Sequence, residues 1–160
     1  MATRDNYTFS NHDALPAAVR DTMVHLLKSW DDPHHNYDFV NDFKEDGVLR
    51  FGVDAKGKDA IKGMKDFMIH PEKGPIVDLQ RIFEKGFVMP GPESGKQEFI
   101  GTAEVWYKLK NGRKVTCRPA SHAVFVDVGG ELKAEFYEVH MDSNELMTAI
   151  KEMQEADASK

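Results

Sequence analysis

The chain has 160 residues, of which 41% are hydrophobic and 30% charged, and its formal net charge is -6. This length fits one domain, and the composition is that of an ordinary globular protein rather than a disordered, collagenous or disulfide-rich one. The negative charge disfavours nucleic acid and anionic membranes as partners, since both normally require a basic patch.

The first predicted element is an amphipathic helix. From Leu15 to Trp30 the apolar residues recur at spacings of three and four, which indicates one buried stripe. Asn11 or Asp13 can cap the start of this helix. The polar stretch 32–36, which contains a proline and two histidines, predicts a turn after it.

Two further helices are predicted before the sheet begins. Residues 37–43 indicate a short second helix that Gly47 can end. The stretch VLRF then predicts a brief strand. A third helix is expected after Gly57, and the His-Pro pair at 70–71 ends it.

The remainder of the chain is rich in β-forming residues. Asn111-Gly112 and Gly129-Gly130 each predict a two-residue hairpin, because the favoured turns need positive φ at both positions. The stretch 90–95 is too rich in proline and glycine for regular structure. The four predicted strands are IVDLQRIFEKGFVM, FIGTAEVWYKLK, KVTCRPASHAVFVDV and ELKAEFYEVHM.

These elements predict one α+β domain over residues 1–153. We expect a curved antiparallel sheet, three N-terminal helices on its concave face and a short C-terminal helix that ends at about Met153. Residues 154–160 are predicted to form a disordered acidic tail. Pro119 lacks an N–H group, so it should mark a bulge or bend within its strand.

The compartment is predicted from the single cysteine and the first residues. Cys117 alone excludes an intrachain disulfide and fits a reducing compartment. The opening MATRDNYTFS lacks the apolar core of a signal peptide, and no run approaches the roughly 20 apolar residues of a membrane span. A soluble cytoplasmic protein without membrane or nucleic acid partners is therefore expected.

Two stretches carry a resemblance to a known family. They are FVNDFKEDGVLRFGVDAKGKDAIKGM and, much later, VFVDVGGELKAEFYEV. Together with the order of elements, they resemble the SnoaL-like branch of the nuclear transport factor 2-like superfamily, over most of the chain. The resemblance implies a cone-shaped α+β barrel, often dimeric, whose cavity binds small hydrophobic molecules. Relatives include ketosteroid isomerase, scytalone dehydratase, polyketide cyclases and members without catalysis.

Strand alternation predicts which side chains line that cavity. With the two hairpin turns in place, His122 lies opposite Tyr137 and beside Glu135. Tyr107 and Arg118 share this face with several apolar residues, a mixture typical of small-molecule sites. The resemblance agrees, since His122 falls where ketosteroid isomerase has its oxyanion-hole acid.

An alternative register is also open. If Pro119 slips the pairing by one residue, Ser121 and Glu138 take the inward positions, and His122 belongs to an interface instead. Apolar residues on both faces of the sheet favour a homodimer through the second face.

The predicted catalytic residues are His122, Glu135 and Tyr137. In this hypothesis His122, oriented by Glu135, transfers a proton, while Tyr137 stabilises the developing oxyanion. Each of these side chains also has a structural interpretation as a packed or interface residue. The predicted substrate-binding residues are Tyr107, Arg118, Arg50, His70 and Trp30.

No metal or cofactor is expected. Asp31, Asp32, His34 and His35 lie close together in the sequence, but adjacent residues of a turn rarely converge on one ion, so helix capping is the preferred interpretation. The chain contains no GxGxxG, P-loop, nucleophile-elbow or HExxH motif, which indicates neither a nucleotide cofactor nor covalent catalysis.

The sequence therefore leads to one functional hypothesis and two alternatives. The hypothesis is a cofactor-free isomerase, cyclase or dehydratase that acts on a small hydrophobic, oxygenated metabolite of polyketide or terpenoid type. The first alternative is a non-catalytic binding or interaction protein with the same fold. The second is a stress-type protein with a filled interior, in which no pocket is expected.

Overall fold

The computed structural model describes residues 6–34, 37–91 and 93–160. His35 and Asn36 of the predicted turn, and Pro92 of the predicted polar loop, lie outside the described residues. In chain order the helices are α1 (Ala17–Trp30), α2 (Lys58–Met68) and α3 (Asn144–Ala158), and the strands are β1 (Phe43–Phe51), β2 (Val53–Lys56), β3 (Ile76–Pro90), β4 (Lys96–Leu109), β5 (Lys114–Cys117), β6 (Ala120–Val128) and β7 (Glu131–His140).

The strands form one seven-stranded sheet in the order β2-β1-β7-β6-β4-β3, with β5 paired to β4. Every pair is antiparallel except β1 with β7, which is parallel. The predicted α+β class is thereby confirmed, and the sheet is open and mixed rather than wholly antiparallel. Parallel strands need a long connection between them. The chain provides one here, because β2, α2 and four further strands separate β1 from β7.

The helix α1 follows its apolar periodicity. It buries Val19, Met23 and Leu26 on one side, as the spacing predicts. It begins at Ala17 after Pro16, and no side chain caps its start. The prediction that Asn11 caps it is wrong, because the Asn11 amide bonds both the N–H and the C=O of Gly86 and so ties the N-terminal segment to β3.

The second predicted helix is a 3₁₀ helix at Asp38–Asp42, and β1 begins directly after it. Phe43 already pairs with Ala134 of β7, so strand pairing outweighs the local helical pattern. Gly47 is a strand residue and not a helix end. A Cβ atom there would lie 3.0 Å from the carbonyl oxygen of Ala134, so this glycine permits the close approach of two backbones.

The core has two parts. The first joins α1 and Ile61 of α2 to the inner side of the sheet, where Phe99, Phe125 and Tyr137 are fully buried. The second joins α3 to β3, β4 and β5. The helix α3 continues to Ala158, beyond the predicted end at about Met153, so 154–158 are helical. Among the described residues, no helix combines the length and the apolar character that crossing a membrane requires.

A buried lysine joins the two N-terminal helices. Lys65 of α2 is 1% exposed, and its Nζ donates to the carbonyl oxygens of Ser29 at 3.2 Å and Asp32 at 3.0 Å. The ammonium group also lies 5.1 Å from the ring centroid of Phe39. Lys65 therefore bonds carbonyl groups at the C-terminal end of α1, where cations are favourable.

We expect the stability contribution of Lys65 to rise with pH. Burial lowers the pKa of Lys65 to about 8 from its ordinary 10.5, and neighbouring carboxylates oppose this shift. Between these two values the unfolded chain binds more protons than the folded chain, so folding becomes more favourable as the pH rises and less favourable as it falls toward 8. The free energy of unfolding can be measured in urea for wild type and Lys65→Met. As the pH rises through this window, the free energy of unfolding of wild type should increase relative to that of the variant.

The matched control for this prediction is Lys62→Met on the same helix, whose side chain is half-buried. Of the two variants, Lys65→Met should show the larger change with pH in its difference from wild type. A pH-independent difference for Lys65→Met would show that the folded state does not bury this ammonium group.

Candidate functional site

The register of the sheet decides which side chains reach the interior, and two local features set it. At the first predicted turn, Leu109 N–H donates to Arg113 C=O at 2.9 Å, so the loop has three residues (110–112) rather than two. Gly112 takes the positive φ that such a loop requires. One extra loop residue shifts the pairing by one, and a shift by one exchanges the two faces of the following strand.

The second feature is a bulge in β7. The predicted two-residue turn at Gly129-Gly130 is confirmed, since Val128 pairs with Glu131. Farther along, Phe125 pairs with Ala134 but Val124 pairs with Phe136, so Glu135 is the extra residue of a bulge. The bulge turns Tyr137 inward, where it is 2% exposed.

Pro119 interrupts the strand without changing its register. The strand is divided there into β5 and β6, and the pairing with β4 has the same offset on both sides of the break. The Pro119 carbonyl oxygen still accepts a hydrogen bond from Ala103 N–H at 3.2 Å. The strand is therefore broken at Pro119, as predicted. The shift of the register by one residue, however, comes from the loop at 110–112 and the bulge at Glu135.

The prediction that His122 faces the cavity is wrong. Its cross-strand neighbours are Ile100 and Glu138, and its Nε2 lies 3.4 Å from a carboxylate oxygen of Glu98. The imidazole also makes an edge contact with Phe136. His122 thus lies on the outer face of the sheet, while Ser121 takes the inward position, as the alternative register predicted for that residue.

The prediction that Glu135 orients His122 is also wrong. The Glu135 carboxylate pairs with Lys96 at 2.7 Å and with Lys44 at 3.3 Å. The hydrogen bond from Lys96 is the main reason that the pKa of Glu135 lies below its ordinary value. Glu138, which the alternative register placed inside, is on the outer face opposite His122.

A cavity of about 60 Å³ lies between α1, α2 and the inner face of the sheet. Its presence contradicts the hypothesis of a filled interior. Three of the predicted site residues line it, namely Trp30, Tyr107 and Tyr137. The other lining residues are apolar except Arg81: Leu26, Leu27, Phe43, Leu49, Phe51, Met64, Met68, Ile69, Ile76, Val139, Met141 and Leu146.

Arg81, the one charged residue of the cavity lining, belongs to a buried ion pair that the sequence did not reveal, and its partner Asp31 is not a lining residue. Arg81 Nη1 donates to Asp31 Oδ1 at 2.9 Å, and the Arg81 N–H donates to Asp31 Oδ2 at 3.0 Å. The Tyr7 hydroxyl donates to the same Oδ2 at 3.0 Å. Three donors therefore converge on Asp31, which has no exposed surface, and Arg81 also lines the cavity.

The ionisation of this pair follows from burial and from its donors. Burial raises the pKa of Asp31, and the Arg81 guanidinium opposes that rise. Burial is the largest single effect and lowers the pKa of Arg81, but the Asp31 carboxylate, together with Tyr137, Tyr107 and Tyr7, raises it above its ordinary value. All three groups donate hydrogen bonds to Asp31, so both of its carboxyl oxygens act as acceptors. This pattern is that of an ionised carboxylate paired with a guanidinium cation.

Two tyrosine hydroxyls accompany Arg81 in the cavity lining. The Tyr137 hydroxyl lies 2.7 Å from the Ser121 hydroxyl, and either group can donate. The Tyr107 hydroxyl contacts the Met141 sulfur at 3.7 Å, a weak acceptor. Burial raises the pKa of both tyrosines, so both remain protonated donors at neutral pH.

Three other predicted binding residues lie away from the cavity. Arg118 is exposed and pairs with Glu84 and, at 3.6 Å, with Glu104. Arg50 forms two hydrogen bonds with Asp54, at 2.6 and 3.0 Å, on the outer face. Both positions contradict the prediction of substrate contact, because the register turns these side chains outward.

His70 is buried at the end of α2 but does not line the cavity. The backbone N–H groups of Glu72 and Lys73 donate to its Nδ1, at 3.0 and 2.9 Å. The imidazole therefore holds the turn that follows α2. The prediction that it contacts substrate is not supported by this geometry.

Neither Asp31 nor Arg81 is among the site residues predicted from the sequence. Asp31 was interpreted as a helix-capping residue, whereas its carboxylate points away from the helix end and contacts β3. A signal for Arg81 was available, because it stands among apolar residues in the run IVDLQRIF. A charged side chain on the buried face of a strand requires a buried partner. In the described part of the chain, no three His, Cys, Asp or Glu side chains come together as a metal site would require.

No protein-family model and no curated protein sequence matches the chain. Solved structures do match its fold. A hexachlorocyclohexane dehydrochlorinase (LinA) type 2 superposes with a TM-score of 0.69 at 13% identity, over 79% of this chain and 84% of that one.

Two further structures come from named organisms. ActVI-ORFA from Streptomyces coelicolor has a TM-score of 0.64 at 18% identity, over 79% of this chain and 96% of that one. A candidate scytalone dehydratase from Novosphingobium aromaticivorans has a TM-score of 0.65 at 14% identity, over 78% and 82%. The chain therefore shares its fold, the nuclear transport factor 2-like fold, with these structures.

Proposed function

We propose that the protein is a cofactor-independent isomerase, cyclase or dehydratase that acts on a small hydrophobic, oxygenated molecule of polyketide or terpenoid type. The observation that carries this proposal is the largely apolar cavity with Arg81, Tyr107 and Tyr137 on its wall. Pockets of this composition bind small molecules, and the few polar groups fix their orientation.

The chemistry that these groups support is stabilisation of a developing oxyanion. When a proton leaves the carbon next to a carbonyl group, negative charge accumulates on the oxygen, and donors fixed around it lower the barrier. The Tyr107 hydroxyl and the Arg81 guanidinium supply such donors in a cavity with few other polar groups. Isomerisation, cyclisation and dehydration can all pass through such an intermediate. The names of two structural neighbours, a dehydrochlorinase and a dehydratase, denote eliminations.

A second candidate function is a binding protein that carries the same kind of molecule. The observation in its favour is that the described lining of the cavity contains no carboxylate or imidazole that could accept a proton. Under the first proposal, the proton is accepted by the substrate itself or by water.

One experiment separates the two candidates. The gene is deleted, the compound that accumulates is identified, and this compound is incubated with the purified protein. Conversion to a product supports the enzyme. Binding without conversion would establish the carrier, and accumulation of a compound that neither binds nor reacts would contradict both.

We also propose that the protein is a cytoplasmic homodimer that uses the outer face of the sheet. This face carries half-exposed apolar residues, among them Ile100 and Phe136, beside His122 and Arg50. Since the carboxylates of Asp54 and Glu138 alternate with the hydrogen-bond donors Arg50 and His122 along this row, a second copy can match it.

We expect Ile100→Lys to dissociate this dimer, because it places a charge among apolar residues at the interface. Native mass spectrometry should give twice the single-chain mass of 18.1 kDa for wild type and the single mass for the variant. A matched control is Val53→Lys, which places the same charge at an exposed apolar residue of β2. Wild-type protein with the single-chain mass would contradict the proposal.

A further inference from the structure

We propose that the molecule bound in the cavity is uncharged and presents a carbonyl oxygen to Arg81 and Tyr107. This inference rests on the proposed function, in which the cavity is the ligand site, and it specifies the chemical class of the ligand. An aromatic ketone is the simplest representative of this class. A carboxylic acid of the same size and a hydrocarbon of the same shape are the classes that it excludes.

Donors on the cavity wall are not fully used by the protein. Within the described residues, Arg81 Nη1 is bonded to Asp31, while Nε and Nη2 have no hydrogen-bond partner. The arginine side chain is 7% exposed and lines the cavity. Donors that face the cavity without a protein partner are available to a ligand atom that accepts hydrogen bonds.

The second donor is close to the first. Tyr107 lies two residues from Val105 on β4, and Val105 is the cross-strand partner of Arg81. Its hydroxyl contacts the Met141 sulfur, which accepts weakly and can be replaced by an oxygen. One carbonyl oxygen has two lone pairs, which matches one guanidinium N–H and one hydroxyl.

Hydrogen-bond acceptors are scarce in the cavity lining. Apart from the tyrosine hydroxyls and methionine sulfurs, the described lining offers no side-chain acceptor, because it contains no carboxylate, amide or imidazole. A ligand donor could bond only a tyrosine hydroxyl or a methionine sulfur there, so a ligand with several N–H or O–H groups would lose hydrogen bonds to water without replacement. The cavity fits a ligand that accepts more hydrogen bonds than it donates.

Charge also limits the ligand. Asp31 already balances Arg81, so the buried pair is neutral as a unit. A carboxylate ligand would bring a second negative charge into the cavity without a second cation, and an unpaired buried charge is costly. A carbonyl group accepts the same hydrogen bonds without this cost.

The size of the cavity limits the ligand further. Its volume of about 60 Å³ is smaller than the ~150 Å³ of an apolar protein cavity known to hold benzene. Three of the lining residues, Met64, Met68 and Met141, are half-buried and have flexible side chains that can move apart. We therefore expect a ligand of about one ring.

Three probes of matched size test the inference by isothermal titration calorimetry: acetophenone, benzoate and cumene. The carbonyl compound should bind at least about tenfold more tightly than either of the others, a difference of about 1.4 kcal/mol. In Tyr107→Phe, acetophenone should bind more weakly while cumene is unaffected. Tyr37→Phe is the matched control, since its hydroxyl bonds Asp66 and lies outside the cavity.

The outcomes separate failure of this inference from failure of the proposed function. Tightest binding of benzoate would show an anion site, and equal binding of cumene and acetophenone would show an apolar site without a carbonyl contact. Either result overturns the inference and leaves the cavity as the ligand site. If none of the three probes binds, the cavity itself fails as the ligand site, and the proposed function falls with it.

Discussion

Arg81→Met is expected to lower the free energy of unfolding by about 3–5 kcal/mol, because removing one partner of a buried ion pair leaves the other charge uncompensated. Asp31 has no exposed surface, and the Arg81 side chain is 7% exposed. The variant would keep the backbone N–H and the Tyr7 hydroxyl as donors to Asp31 but would lose the cation. Urea unfolding followed by circular dichroism measures the difference.

A second variant separates the charge from the loss of packing. In Asp31→Asn with Arg81→Met, the amide oxygen can still accept from Tyr7, and neither charge of the pair remains. This double variant should recover a large part of the lost stability. Arg113→Met is the matched control, because its pair with Glu152 is exposed, lies away from the outer face of the sheet and should contribute little. If Arg81→Met unfolded at the same urea concentration as wild type, the pair would not be buried in solution.

The sequence was sufficient for features that depend on local patterns. The apolar spacing of α1 and the positive φ required at Gly129-Gly130 are local, and the structure confirms both. The α+β class follows from the order of such elements. The second predicted helix was wrong because pairing of Phe43 with β7, a contact far along the chain, outweighs local propensity.

The position of His122 could not be predicted for a different reason. A strand has a period of two residues, so one additional residue anywhere between the turn and the site exchanges its faces. The three-residue loop at 110–112 adds one residue on one side of β6, and the bulge at Glu135 adds one on the other. Asn-Gly occurs in hairpin loops of both lengths, and no residue type in β7 specifies the bulge.

The contact between Asp31 and Arg81 joins residues far apart in sequence, at the end of α1 and in β3. No local pattern pairs them, and the polar neighbours Asp32 and His34 drew attention to a metal site or a helix cap instead. The indirect signal was Arg81 itself, an arginine at a position where alternation predicts burial. A charged residue at such a position is a reason to search for a buried partner.

Tyr107→Phe is the second change with a large expected effect, in this case on catalysis. Loss of one oxyanion donor typically lowers kcat by about 10²–10³-fold, because the hydrogen bond strengthens as charge develops on the oxygen. The weak contact of this hydroxyl with Met141 contributes little to folding, so the variant should remain folded. We expect kcat to fall with a smaller change in KM, the pattern of an interaction made mainly in the transition state.

His122→Gln is the matched comparison, because His122 is the histidine that strand alternation assigned to the cavity and the structure places on the outer face. The most direct test of the account is the ratio of kcat in these two variants, measured on the compound that accumulates when the gene is deleted. The account predicts that Tyr107→Phe loses about 10²-fold or more while His122→Gln retains the wild-type rate. A large loss in folded His122→Gln, with normal turnover by Tyr107→Phe, would contradict it.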